Sequence, residues 1–137
     1  MMKRIHEWAT AILVIPRWLL TIKYALFALF GIAAIIAGAP SLYATVGALY
    51  AFYWAIGLTI ASIVACVSSL FESDRAETVE KWAAVAIVAF LSANVAGAIT
   101  LVGLGEGNRV AFSVLLLIVT LLPAARAVAL MLAPRGK

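Results

Sequence analysis

The sequence predicts an all-α integral membrane protein. It reads as four spanning helices in two antiparallel transmembrane hairpins, preceded by a short interfacial amphipathic helix. Three observations carry this. Hydrophobic residues make up 66% of the 137 residues and charged residues 12%, against about 45–50% and about 25% in soluble domains. A 14.5 kDa chain with a mean hydropathy of +1.15 has too much surface to hide that much apolar side chain from water. The charges, finally, are confined to short segments that separate long uncharged runs. A disordered chain, a disulfide-stapled secreted domain and a soluble nucleic-acid-binding domain are excluded on the same grounds.

Residues 3–15 come first. Ile5, Trp8, Ile12, Ile15 and Leu19 recur at helical spacing, and Lys3, Arg4, His6, Glu7 and Thr10 supply polar positions. This predicts an amphipathic helix lying in the inner leaflet, or else an extension of the first span, with Pro16 permitting a bend. The apolar region that follows is too long for a cleaved signal peptide.

Residues 24–71, 82–105 and 110–125 carry no charge. A span needs about 20 residues, so the first run holds two helices. Its break falls at Gly38, Pro40 and Ser41: glycine suits a helix C-cap, proline cannot continue the ladder, and serine can cap the next helix. Residues 103–109 form a glycine-rich polar turn. The predicted spans are therefore 18–38, 44–70, 82–103 and 110–131, within a single membrane domain.

The second span exceeds the bilayer. Tyr50, Tyr53 and Trp54 are expected at the outer headgroups, with residues 44–49 beyond the core and Tyr43 sharing a face with Tyr50 and Trp54. Trp18, Tyr24 and Trp82 would form the opposite belt. Residues 72–81 form an inner loop, in which Ser73, followed by Ala76 and Glu77, resembles a helix N-cap.

Orientation follows from the basic residues. With both termini cytoplasmic, the inner side carries Lys3, Arg4, Arg17, Lys23, Arg75, Lys81, Arg126, Arg135 and Lys137, and the outer side only Arg109. The net charge of +4 is read as contact with anionic inner-leaflet lipid. It is not read as nucleic-acid binding, because no continuous basic face exists for a phosphate backbone to follow.

For chemistry, the six acids Glu7, Glu72, Asp74, Glu77, Glu80 and Glu106 are all expected outside the apolar cores. That leaves no intramembrane ionisable centre of the kind a proton-coupled transporter uses. His6 and Cys66 are each the sole residue of their type. No catalytic, cofactor-binding or metal-ligating set is expected, and the chain is not read as an enzyme.

Asn94 is the most polar residue near mid-membrane. It is expected to make an interhelical hydrogen bond, or to line a water-facing surface with Ser92 and Thr100. Small residues recur every fourth position at Gly57, Ala61, Ala65 and Ser69, and again at Ala89, Ala93 and Gly97. Such rows let helices approach closely, within the chain or between copies. Lys23 and Arg126 are candidate inner-leaflet anchors that snorkel to the headgroups, with a water-lined path as the alternative. Pro123 offers a kink beside Arg126. Glu72, Asp74, Glu77 and Glu80 make the inner loop a solvated hinge or a docking surface for a cytosolic partner.

The start Met1, Met2, Lys3, Arg4, the four Ala/Val/Leu-rich spans, the short outer turns and the basic tail Ala133, Pro134, Arg135, Gly136, Lys137 together resemble small multi-span phage and actinobacterial membrane proteins, including holin-like ones. The resemblance covers the whole chain and rests on layout, not on a diagnostic motif; the long charged tail common among holins is missing. It implies a protein of the bacterial inner membrane that oligomerises to permeabilise it. An accessory or assembly subunit of a larger membrane complex is the alternative, and a small-solute transporter the third.

Overall fold

The computed structural model describes residue 7, residues 14–105 and residues 110–132. Among these there is no strand, and four helices are long and apolar enough to cross a membrane. We number the helices α1 (Arg17–Ala37), α2 (Pro40–Val46), α3 (Ala48–Ser68), α4 (Asp74–Gly103) and α5 (Val110–Leu132). The expected interfacial helix over residues 3–15 lies outside the described residues, apart from Glu7, Val14 and Ile15. So do Glu106 to Arg109 and the basic tail.

Each span has the exposure of a lipid-facing helix. In α1 and α5 only 33% of the most apolar window is buried inside the protein, so most of its residues are at least partly exposed. Leu26, Leu29, Ile32 and Ile36 of α1 and Leu117, Ile118, Leu121 and Leu122 of α5 are all exposed. Water would not tolerate such a surface, whereas hydrocarbon does. The buried stripes are narrow and recur at steps of three and four: Leu20, Tyr24, Phe27, Gly31 and Ala34 on α1, and Ala84, Ile87, Leu91, Asn94 and Ala98 on α4.

Packing runs in chain order: α1 against α3, α3 against α4, and α4 against α5. The α1 and α5 backbones do not approach each other, so the layer stays open on one side. Small residues set the contacts. At Gly31 an added Cβ would strike Thr59 Oγ1 and lie 3.1 Å from the Thr59 backbone nitrogen, which fixes α1 hard against α3. At Gly57 it would strike the Phe90 ring of α4. Of the two predicted rows, Gly57, Ala61, Ala65 and Ser69 are buried or half-buried and pack within the chain. The other row divides: Gly97 is buried, Ala93 half-buried and Ala89 exposed. A strict four-residue step advances about 400°, about 40° beyond a full turn, so spacing alone does not keep a row on one buried face.

Three boundaries differ from expectation. The second span is two helices, α2 and α3, broken at Gly47 with φ +94°. Tyr43 therefore does not continue the face of Tyr50 and Trp54. Ser41 is not a cap: Pro40 takes the first turn of α2, with its fixed φ already suited to a helix start. Finally, the expected cap at Ser73 forms, and it makes most of the predicted inner loop helix. Ser73 Oγ accepts the Ala76 backbone N–H at 3.1 Å, and α4 runs from Asp74 onward with Asp74 and Glu77 in its first turn, where negative charge suits the helix dipole.

Candidate functional site

The buried stripes of three helices bring one ionisable group each to the end of the bundle that carries Arg17 and Glu72. Tyr24 belongs to the α1 stripe, four residues from Leu20. Glu80 extends the α4 stripe one turn back from Ala84. Arg126 extends the α5 stripe of Leu116, Thr120 and Pro123. All three are buried, with Tyr24 fully so and Glu80 and Arg126 at 4% and 7% exposure.

The groups interlock. Arg126 Nε donates to Glu80 Oε1 at 3.0 Å, and Nη2 donates to Oε2 at 3.4 Å, a two-pronged pair. The Tyr24 hydroxyl donates to the same Oε1 at 3.0 Å. One carboxylate thus joins α1, α4 and α5, although α1 and α5 share no backbone contact. Arg126 Nη1 is buried without a hydrogen-bond partner. Lys23, next to Tyr24, is half-buried, and its Nζ lies 4.3 Å from the centre of the Tyr24 ring. No carboxylate among the described residues pairs with it. The cluster therefore holds two cations and one anion.

This site corrects several expectations. Glu80 is not a solvated loop residue, because the N-cap at Ser73 winds it into the second turn of α4 and faces it inward. Arg126 does not snorkel, because its partner lies inside the bundle. Tyr24 and Trp54 are not belt aromatics. Trp54 is buried, donates its indole N–H to the Phe90 carbonyl at 2.5 Å and packs edge-on against Phe30. Trp18, Trp82, Tyr43, Tyr50 and Tyr53 are exposed, as a belt requires. Glu72, Asp74 and Glu77 are exposed, and Arg17 bridges the first and last of them, at 3.5 Å and 3.9 Å, while donating to the Phe71 carbonyl.

Toward the other end, Asn94 is buried, but its side chain makes no hydrogen bond among the described residues. It lines a cavity of about 160 Å³ with Phe30, Ala34, Pro40 and Phe112. Ser92 and Thr100 point outward on a different face, and the Thr100 hydroxyl donates to its own helix at Ala96. The three polar residues expected on one water-facing surface are thus not brought together. Buried hydroxyls elsewhere are also satisfied within their own helices: Thr59 by Ala55, Ser62 by Leu58 and Thr120 by Leu116. Among the described residues, no three His, Cys, Asp or Glu side chains cluster to hold a metal.

A second feature begins at Lys23. The open side between α1 and α5 is a groove of about 380 Å³, lined by Leu26, Phe27, Phe30, Leu91, Leu115 and Val119, with Lys23 at one end. Phe30 and Phe112 close the other end and form its wall with the Asn94 cavity. In comparisons with known proteins, no family model, curated protein or solved structure matches the chain.

Proposed function

We propose that the chain is a non-catalytic accessory or assembly component of a larger membrane complex, working as one fixed four-span unit. The unit sits in a bacterial cytoplasmic membrane as two antiparallel hairpins, α1 with α3 and α4 with α5. Both termini face the cytoplasm, which puts the Glu80–Arg126 cluster near the inner headgroups. The carrying observation is the shared carboxylate of Glu80. Separating α5 from α4 would strand a bare charge in or near hydrocarbon, a cost of about 3–5 kcal/mol, and withdrawing α1 would remove the Tyr24 hydrogen bond to the same carboxylate. Such a clamp suits a part that keeps its shape and presents surfaces to a partner. The exposed acids Glu72, Asp74 and Glu77 supply a polar contact surface at the same end.

Holin-like permeabilisation is the second reading, and one observation favours it. Ala89, Ser92, Ala96, Thr100 and Gly103 form an exposed face of small residues along α4, spaced for close packing against another copy. Timed induction in a bacterial host, with membrane potential followed by a voltage-sensitive dye, separates the two. The accessory reading expects no depolarisation at high expression. An abrupt collapse after a delay overturns it in favour of the holin-like one.

A further inference from the structure

The groove between α1 and α5 is not a packing defect shared evenly around the bundle. Along it the α1 and α5 backbones do not touch. Its lining is almost wholly apolar, and its single charge, Lys23, stands at one end. Seven residues from Lys23 to Phe30, and ten from Phe112 to Leu122, give it a length of about 10–15 Å. That matches one leaflet of a hydrocarbon core about 30 Å thick. Charge points the same way. Lys23, Arg126 and Glu80 together carry one positive charge more than negative, and of the three it is Lys23 that lines the slot, at its headgroup end.

We infer that this groove is a binding site for a single anionic phospholipid, with its phosphate on Lys23 and one acyl chain running toward Phe30 and Phe112. A lipid of this kind compensates the surplus charge and fills the open side of the bundle in one step. It also ties α1 to α5 where their backbones do not meet. The inference needs the charged end to face a leaflet that contains anionic lipid, and it is otherwise independent of the accessory role: the dye experiment above decides that role without touching lipid binding.

Native mass spectrometry of the full chain, released from detergent and titrated with dioleoyl phosphatidylglycerol or dioleoyl phosphatidylcholine, tests it. The wild type is expected to hold one phosphatidylglycerol at least about five-fold more tightly than phosphatidylcholine, the equivalent of about 1 kcal/mol for one lysine at an anionic surface. Lys23→Gln should abolish that preference and Lys23→Arg should keep it. Leu115→Trp fills the groove from an exposed position and should weaken both lipids, with helicity by circular dichroism unchanged. Equal affinity for the two lipids in the wild type overturns the inference. So does phosphatidylglycerol binding that survives Leu115→Trp undiminished, because the headgroup alone would then suffice. Displacement of the lipid by millimolar inorganic phosphate overturns it as well, since the site would then be one for free phosphate.

Discussion

Glu80 is the residue on which most of the bundle's polar energetics turns. Its carboxylate accepts from Tyr24 and Arg126 at once. Glu80→Ala should destabilise the fold by about 3–5 kcal/mol, because Arg126 is left buried and uncompensated. The double variant Glu80→Met with Arg126→Met should recover most of that loss, since a buried pair replaced by apolar groups is often close to neutral. Unfolding in mixed micelles, followed by far-ultraviolet circular dichroism, measures both. A double variant no more stable than Glu80→Ala would show that the cost lies in packing, not in the stranded charge. Tyr24→Phe should cost less, about 1.5–3 kcal/mol for one hydrogen bond to a charged group. Glu80 was concealed in the sequence by its neighbours, Lys81 and the boundary residue Trp82, which mark it as interfacial. The signal that would have found it is periodicity: stepping back from Asn94, Leu91, Ile87 and Ala84 by one further turn reaches residue 80.

At the scale of elements, the contacts between helices are decided by a few small residues whose partners lie far away in sequence. Gly31→Ala should destabilise by about 1–3 kcal/mol, the usual cost of overpacking. The Thr59 side chain can turn away from the new methyl, but its backbone at 3.1–3.2 Å cannot. Adding Thr59→Ala should therefore restore only part of the stability, and full restoration would show that the side chain alone was in the way. Gly47 acts differently. Nothing lies within 4 Å of a Cβ there, so Gly47→Ala is strained only by its φ of +94°. A cost of about 1–2 kcal/mol is expected; a neutral result would mean that α2 and α3 can merge into one helix. Gly31 was not in either row of small residues read from the sequence, because a row found by spacing says nothing of which helix faces it. Trp54 was misplaced for a similar reason: an aromatic near a span's end fits an interface equally well by composition, and only the Phe90 carbonyl across the α3–α4 contact draws its N–H inward.

For the whole molecule, the open α1–α5 side and the charged cluster at one end define its shape in the bilayer. Reporter fusions should place residue 105 outside the cytoplasm and residue 132 inside it, following the excess of Lys and Arg at the cluster end. A cytoplasmic signal from residue 105 would invert the chain and remove the inner-leaflet setting of Lys23. Surface apolarity fits this picture, since exposed Leu, Ile and Val cover all four spans and lipid, not protein, satisfies them. In hydrocarbon such a face needs no partner, because lipid tails are as apolar as leucine.

Composition and charge spacing determined that the chain is helical, that four helices are apolar enough to cross a membrane, and about where each ends. Those properties are local sums: hydropathy over about 20 residues, a glycine after a helix, a serine before one. Tertiary structure alone decided that Tyr24, Glu80 and Arg126 meet, that Asn94 and Ser92 face opposite ways, and that α1 and α5 stand apart. Each of these depends on the rotation of one helix about its axis relative to another. In a span that is apolar all round, that rotation is weakly marked in the sequence, and it is fixed only when small residues and buried charges find their partners.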